Sequence, residues 1–535
     1  MKRNTYTLVS ALLGVFIGVM ACLICVRLAG PLKKFDGDYN RWRKLNLILE
    51  QVEENYVDTI DQKAMTDAAV MAALGKLDPH SVYLPPVELK ESETELAGNF
   101  DGIGIQFNVP NDTAIVLSVI PGGPSEKAGL LQGDRIIRVD DKVIAGMKTP
   151  QDSMVRLMKG PSGSKVKIVV NRDGEQIPFD ITRGKIPVHC VDAAFMIDAE
   201  TGYIKLAKFT RTTYVEFISA VSRLRAQGMN HLIFDLRENT GGYLDQAYML
   251  CNEFLEKGDK VVYMQGLHRS RSDLDADGKG TLKDVKLSVL IDEGSASSSE
   301  IFAGAMQDND RGVIIGRRSF GKGLVQEPIN FTDGSGLRLT VARFYTPSGR
   351  CIQKPYGDDY AYDIYERYAH GELTDADSIK VNRDDVYYTV GGRAVYGGGG
   401  IIPDIFVPMD TTRASTFYIQ CSKKATTMRF ASAMFDKYRS ELIQIDDFGQ
   451  LEHWLDARHL DRQFLDYAAA KDGLKPGPGE WKESEEYMMV QIKALVGRYS
   501  KVGEEAFYRF YIGIDRTLQE ALKPHALISL GKRGK

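Results

Sequence analysis

Cysteine is scarce in this chain of 535 residues. There are six, two of them (Cys22 and Cys25) inside an apolar run, and Cys190, Cys251, Cys351 and Cys421 show no CxxC or other metal-ligand spacing. A disulfide scaffold is excluded, and the redox compartment stays open. An excess of positive charge is also missing: 68 Lys and Arg face 72 Asp and Glu, for a net charge of −4. The chain therefore has no overall attraction for a phosphate backbone, and no nucleic-acid partner is expected. The eight histidines are scattered without HExxH, which argues against a zinc hydrolase, so neither metal nor cofactor is expected. The absence of GxSxG lowers the reading as an α/β-hydrolase. With 43% hydrophobic and 26% charged residues, neither a disordered chain nor a many-span membrane protein fits. At roughly 150 residues per domain the length predicts three or four domains.

One long apolar run is present. Tyr6 to Val26 is 21 residues without a charge, preceded by Lys2 and Arg3. About 20 such residues cross a bilayer as a helix, so residues 1–35 read as a single-pass membrane anchor spanning 6–26. A cleaved signal peptide and a lipoprotein signal ending at Cys22 are the alternatives. The apolar residues Leu23, Ile24 and Val26 continue past any small-residue cleavage site and favour the anchor. Orientation is weakly specified, because Arg27, Lys33 and Lys34 follow the run as closely as Lys2 and Arg3 precede it.

The rest reads as an α/β multidomain protein. Residues 40–98 are predicted helical from apolar residues at three- and four-residue spacing, such as Leu45, Ile48, Val52 and Tyr56. Residues 99–185 hold short β-type runs between glycine and proline turns, a small β-rich module. From 186 to 408, buried strands at Leu232–Leu236, Leu287–Asp292 and Gly312–Gly316 alternate with helices, which predicts an α/β core. A stretch at 355–392, with seven of the 25 tyrosines and nine acids, interrupts this core and reads as a surface insertion. Residues 409–535 are mostly amphipathic helix, expected to serve packing or assembly.

Candidate chemistry gathers where three strands end. Leu287–Asp292 runs into a serine cluster, Ser295, Ser297, Ser298 and Ser299, and then a helix. Serines at a helix start ordinarily cap it. However, that helix must return along the sheet to a parallel strand, Gly312–Gly316. The next loop, Phe320 to Gln326, therefore delivers Lys322, flanked by Gly321 and Gly323, to the same sheet edge. Leu232–Leu236 ends there too, in Arg237 to Gly242, whose glycines let backbone amides approach an oxyanion. A lysine acts as general base only when neutral, a state that burial favours.

Gly294–Ile301, Phe320–Gln326, Asp235–Gly242 and the earlier Leu77, Asp78, Pro79, His80, Ser81 together resemble the carboxyl-terminal processing peptidases, also called tail-specific proteases. The resemblance covers residues 40 to about 408. It implies a crotonase or Clp protease-like core at 186–408 with Ser297 as nucleophile, Lys322 as general base and Gln326 orienting that base. It also implies Glu300 as a supporting acid, and an oxyanion hole from the amide of Ser298 with that of Gly242 or Gly241, Gly242 being preferred. Ser298 stands where the family more often has alanine, and the choice among the four serines leans on the 25-residue spacing to Lys322.

The β-rich unit resembles this family's PDZ domain, which implies Gly102, Ile103, Gly104 and Ile105 as its carboxylate loop, Ile105–Val109 as the strand to which a peptide adds and a helix at Gln151–Met158 closing the peptide groove. The resemblance implies a membrane-anchored serine endopeptidase of the inner membrane, its catalytic part periplasmic, acting on unfolded or tagged protein C-termini. A hinge at Lys185, Ile186 and Pro187 would let the PDZ unit gate the site. The rival readings are a non-catalytic PDZ scaffold that captures C-termini, and an acyl-transfer or esterase activity on a small molecule. Natural substrates and oligomeric state are not legible.

Overall fold

The computed structural model describes residues 40–523, apart from positions 111, 358, 359, 361, 382 and 383. The expected anchor at 1–35 lies outside them. Among the described residues no helix is long and apolar enough to cross a membrane. The chain divides into two compact units, 1–73 and 74–535. The first contains the helix Asn40–Asn55 and most of the helix Gln62–Leu74.

The helical region expected at 40–98 is thus divided, and its second half is not wholly helical. Val82–Leu84 is a strand, paired antiparallel with Gly336–Tyr345 far along the chain. The turn Asp78–Ser81 just before it is therefore part of the second unit's α/β core.

That core is built on a six-stranded sheet in the spatial order Val191–Met196, Thr201–Leu206, His231–Asp235, Lys286–Ile291, Val313–Gly316 and Ile405–Phe406. The first pair is antiparallel and every later pair parallel. Alternate side chains of a strand face opposite ways. Leu232, Phe234 and Val289 join one apolar cluster with the helices Thr213–Ala226, Leu244–Phe254 and Ser298–Asp308. Ile233, Leu290 and Ile315 join another on the opposite face, where Leu518 and Ala521 of the last described helix, Arg516–Ala521, cover them. Burial on both faces explains why these strands read as unbroken apolar runs. It also makes the C-terminal region part of the core packing.

A second, antiparallel sheet carries the lysine loop. Leu324–Asn330 runs along one edge of Gly336–Tyr345, while Val82–Leu84 and Lys260–Gly266 lie end to end along the other.

The β-rich unit has the strand order Ile105–Asn108, Ala114–Val119, Arg135–Val139, Lys165–Arg172, Glu175–Thr182. Among the described residues Ile105–Asn108 pairs on one side only, which leaves its outer edge open beside the helix Gln151–Met158. The expected strand Ile105–Val109 runs from Ile105 to Asn108, with Ile103 and Gly104 in the preceding loop. The expected hinge is itself a strand: Gly184–Pro187 pairs antiparallel with Asn99–Gly102, and Ile186 is buried. The unit is therefore entered and left through a two-stranded ribbon. It also meets the C-terminal helices, where the Arg135 guanidinium donates two hydrogen bonds to the Asp436 carboxylate, at 2.9 and 2.5 Å.

Candidate functional site

The strand Lys286–Ile291 ends in a tight turn, and Ser297 sits at the turn into the helix Ser298–Asp308 with φ 54° and ψ −113°. A residue with a Cβ is strained there, and such strain persists only where surrounding contacts enforce it. Gly241 supplies part of that enforcement. A Cβ on it would lie 2.8 Å from the Ser297 Cβ and 2.7 Å from the Ala296 carbonyl oxygen, so only glycine lets the two loops approach this closely.

The four clustered serines differ in what their hydroxyls do. Ser295 Oγ donates to the Leu236 carbonyl at 2.8 Å, Ser298 Oγ to the Gly242 carbonyl at 2.9 Å, and Ser299 Oγ to the Asn239 carbonyl at 2.8 Å. Each of these three ties the helix start to the 236–242 loop. Ser297 is half-buried, and its hydroxyl proton has no acceptor among the described residues.

The two glycine amides differ in the same way. Gly241 N–H donates to the Asn239 side-chain oxygen at 2.9 Å, closing a local turn. Gly242 N–H has no acceptor among the described residues, and neither has Ser298 N–H, an orphan donor in the first turn of its helix. Ser298 N–H directly follows Ser297 in the chain, and Gly242 is tied to the serine cluster through its carbonyl, which accepts from Ser298 Oγ, whereas the amide of Gly241 is already engaged.

Glu300 is fully buried and joins the serine loop to the lysine loop. One carboxylate oxygen accepts from Ser319 Oγ at 2.6 Å and Gly321 N at 2.7 Å, and the other from Lys322 N at 2.9 Å and Ser297 N at 2.8 Å. Burial pushes its pKa above the usual carboxylate range against the opposing effect of these bonds. All four partners are donors, and Ser319 Oγ itself accepts from Ile401 N, so the arrangement matches an ionised, acceptor-only carboxylate.

Lys322 Nζ donates to Gln326 Oε1 at 3.1 Å, and no hydrogen bond joins it to Ser297 among the described residues. Burial, aided by the nearby Arg338 guanidinium, holds its pKa below the usual lysine range, opposed by Glu300 and Asp78. Gln326 lies four residues after Lys322, in the following strand and opposite Thr340, and its amide donates to the His80 carbonyl. Asp78 holds that carbonyl's turn. Its carboxylate accepts from the amides of His80 and Ser81, each at 2.8 Å, and from Ser81 Oγ at 2.6 Å. Sequence reasoning marked Leu77–Ser81 as a motif but assigned it no part in the site. The signal was there, but the contact spans 246 positions and depends on strand pairing that no local pattern announces.

The insertion at 355–392 is more than a surface excursion. Its Arg367 is buried and donates to the carbonyls of Ser319, at 2.8 Å, and Phe320, at 3.2 Å, bracing the approach to Lys322.

In the β-rich unit a groove of about 280 Å³ is lined by Phe100, Gly102, Ile103, Gly104, Ile105 and the helix residues Val155 and Met158. The amides of Ile103 and Gly104 have no acceptor among the described residues. Gly104 adopts φ 79°, the left-handed conformation that makes an anion nest from successive amides. Lys159, which sequence reasoning missed, lines the same groove with its Nζ 5.4 Å from the centre of the Phe100 ring.

Residues 200–362 match peptidase family S41, and residues 102–182 match the PDZ domain. The carboxy-terminal-processing protease of Bartonella bacilliformis is 36% identical over 347 residues, which are 64% of this chain and 78% of that protein. The carboxy-terminal processing protease CtpA of Bacillus subtilis is 33% identical over 316 residues, 59% of this chain and 67% of that one. Among solved structures, a photosystem II D1 C-terminal processing protease is 27% identical, with 69% of this chain and 87% of that chain covered at a TM-score of 0.37.

Proposed function

Because the chain belongs to peptidase family S41 and is a serine-type endopeptidase with a PDZ domain, we propose that it captures protein C-termini in the PDZ groove and cleaves near them with a Ser297 and Lys322 dyad. One observation carries this reading: of four clustered serines, only Ser297 keeps its hydroxyl proton uncommitted, at a strained turn followed by the free amide of Ser298.

In the proposed reaction the neutral Lys322 amine, keeping its bond to Gln326 Oε1, uses its lone pair to take the Ser297 proton while Oγ attacks the scissile carbonyl carbon. The resulting oxyanion accepts hydrogen bonds from Gly242 N–H and Ser298 N–H. As the intermediate collapses, the C–N bond breaks and the Lys322 ammonium gives its proton to the leaving amine. Water then attacks the acyl ester, losing its proton to Lys322, which returns it to Ser297. Glu300 keeps the two loops in register, and Gln326 orients the amine.

Substrate capture rests on the amides of Ile103 and Gly104 and on the Lys159 charge for the terminal carboxylate, while Phe100, Val155 and Met158 take its apolar side chain. The open edge of Ile105–Asn108 accepts the peptide backbone. An unfolded substrate ending in a free carboxylate should be turned over with a KM about tenfold lower than its C-terminal amide, at similar kcat. Lys159→Glu should raise KM for the free acid and leave the amide unaffected. Equal KM values for acid and amide in the wild type would reject capture by the carboxylate.

The run Tyr6–Val26 supports a single-pass anchor in the inner membrane, while a periplasmic catalytic part rests on the resemblance to the carboxyl-terminal processing peptidases, since the flanking charges specify orientation only weakly. In fractionated cells the full-length protein should stay in the membrane pellet after an alkaline carbonate wash and be cleaved by protease added to spheroplasts. Release by carbonate, or protection from that protease, would contradict this.

A further inference from the structure

The tyrosine-rich insertion reaches the lysine through an unbroken chain of hydrogen bonds. Tyr360 Oη lies 2.7 Å from His80 Nε2, their rings edge to face with centroids 5.4 Å apart. The His80 carbonyl accepts from Gln326, whose side-chain oxygen holds Lys322 Nζ. From the other side, Gln353 Nε2 donates to Tyr360 Oη at 3.5 Å, while Gln353 Oε1 accepts from Gly323 N at 2.9 Å. The residues on both sides of this ring therefore bracket Lys322. The phenol oxygen accepts from Gln353, and the proton of its bond to His80 Nε2 comes from the phenol or from the imidazole according to the histidine tautomer. Burial, with the charge of Lys322, keeps that imidazole neutral, its pKa down at about 4. Tyr360 is in turn held by Lys354, whose buried Nζ sits 4.2 Å from the tyrosine ring centre and pairs with Asp363 at 3.0 Å.

We propose that Tyr360 is a positioning residue for the general base: through the His80 imidazole it fixes the His80 carbonyl, through that carbonyl Gln326, and through Gln326 the lysine amine. The insertion thereby becomes part of the active-site support. This rests on the assignment of Ser297 and Lys322 above. The phenol touches no reacting atom, and its effect should fall on kcat alone.

The test is a double-mutant cycle with an unfolded protein substrate. Tyr360→Phe, which keeps the ring and removes only the hydroxyl, should lower kcat about tenfold with KM within twofold of wild type. Gln326→Ala should lower kcat at least as much, and adding Tyr360→Phe to it should cause less than a twofold further loss, because both break one chain. A merely structural tyrosine would give a multiplicative further loss of about tenfold, and that result overturns the proposal. Tyr365→Phe, at an exposed position of the same insertion, should leave kcat unchanged; a loss matching that of Tyr360→Phe would also overturn it. If Tyr360→Phe does not fold, His80→Gln takes its place, and wild-type kcat in that variant overturns the proposal. Ser297→Ala, run alongside, separates the two claims. Full activity there removes the dyad reading itself, whereas an inactive Ser297→Ala with a wild-type Tyr360→Phe removes only the role of the tyrosine.

Discussion

Ser297→Ala and Lys322→Ala should each lower turnover of an unfolded substrate by about 10⁴-fold or more, and the double variant should lose little beyond either single one, as expected of groups acting as a unit. Both residues are only half-buried and neither side chain fills the core, so thermal unfolding should change little. The pH dependence has a fixed sign. The base must be uncharged, so kcat should rise with pH through the titration of Lys322 and level off above it. Burial and Arg338 favour the uncharged form, so that midpoint lies below the value of a solvated lysine. Lys322→Arg, which cannot give up its proton in this range, should be as inactive as Lys322→Ala. A rate that falls with rising pH over the same interval would argue for a protonated lysine and against the dyad.

Glu300→Gln should show that Glu300 is required although it is placed away from the reacting atoms. The carboxylate presents two oxygens to four donors. An amide of the same shape offers one oxygen and turns its NH₂ toward the rest. Of the two orientations, the milder places NH₂ against Ser319 Oγ and Gly321 N. It still leaves the Gly321 amide facing a donor in a fully buried site. One such mismatch costs about 1–3 kcal/mol of stability. The larger effect falls on geometry, because Glu300 sets the spacing between the Ser297 and Lys322 backbones. A displacement near 1 Å between reacting groups can lower the rate about 10²-fold, and a kcat loss of that size is expected. Measurement of kcat beside the unfolding temperature separates the two effects. Wild-type kcat in a folded Glu300→Gln protein would show that the carboxylate does not set the loop spacing.

How far the sequence carries this picture depends on the distance over which each feature is determined. The helix Gln151–Met158, implied by the PDZ resemblance, has the same bounds in the structure. The core strands are legible to within about one residue. Leu232–Leu236 is His231–Asp235 in the structure, since Leu236 is fully buried beyond the last ladder pair and buried apolar character does not mark where pairing stops. The parallel return of Val313–Gly316 follows from chain connectivity, so the serine and lysine loops could be brought together without coordinates. Which of four serines is uncommitted could not be read, because it depends on three carbonyls of another loop. The difference between Gly241 and Gly242 rests on the Asn239 side chain turning back on its own loop. The roles of His80, Tyr360 and Arg367 were out of reach for the same reason. Each acts across the pairing of a short strand or through an insertion whose composition says surface while a few of its side chains reach inward.

The central claim is that Ser297 is made nucleophilic by an uncharged Lys322. A small phosphonofluoridate that needs no PDZ capture reports on this directly, with adduct formation followed by intact mass and the modified residue located by peptide mapping. One adduct is expected, on Ser297, forming at a rate that rises with pH through a single titration below that of free lysine and dropping by orders of magnitude in Lys322→Ala. Modification of Ser295, Ser298 or Ser299 instead, or an undiminished rate in Lys322→Ala, would contradict it.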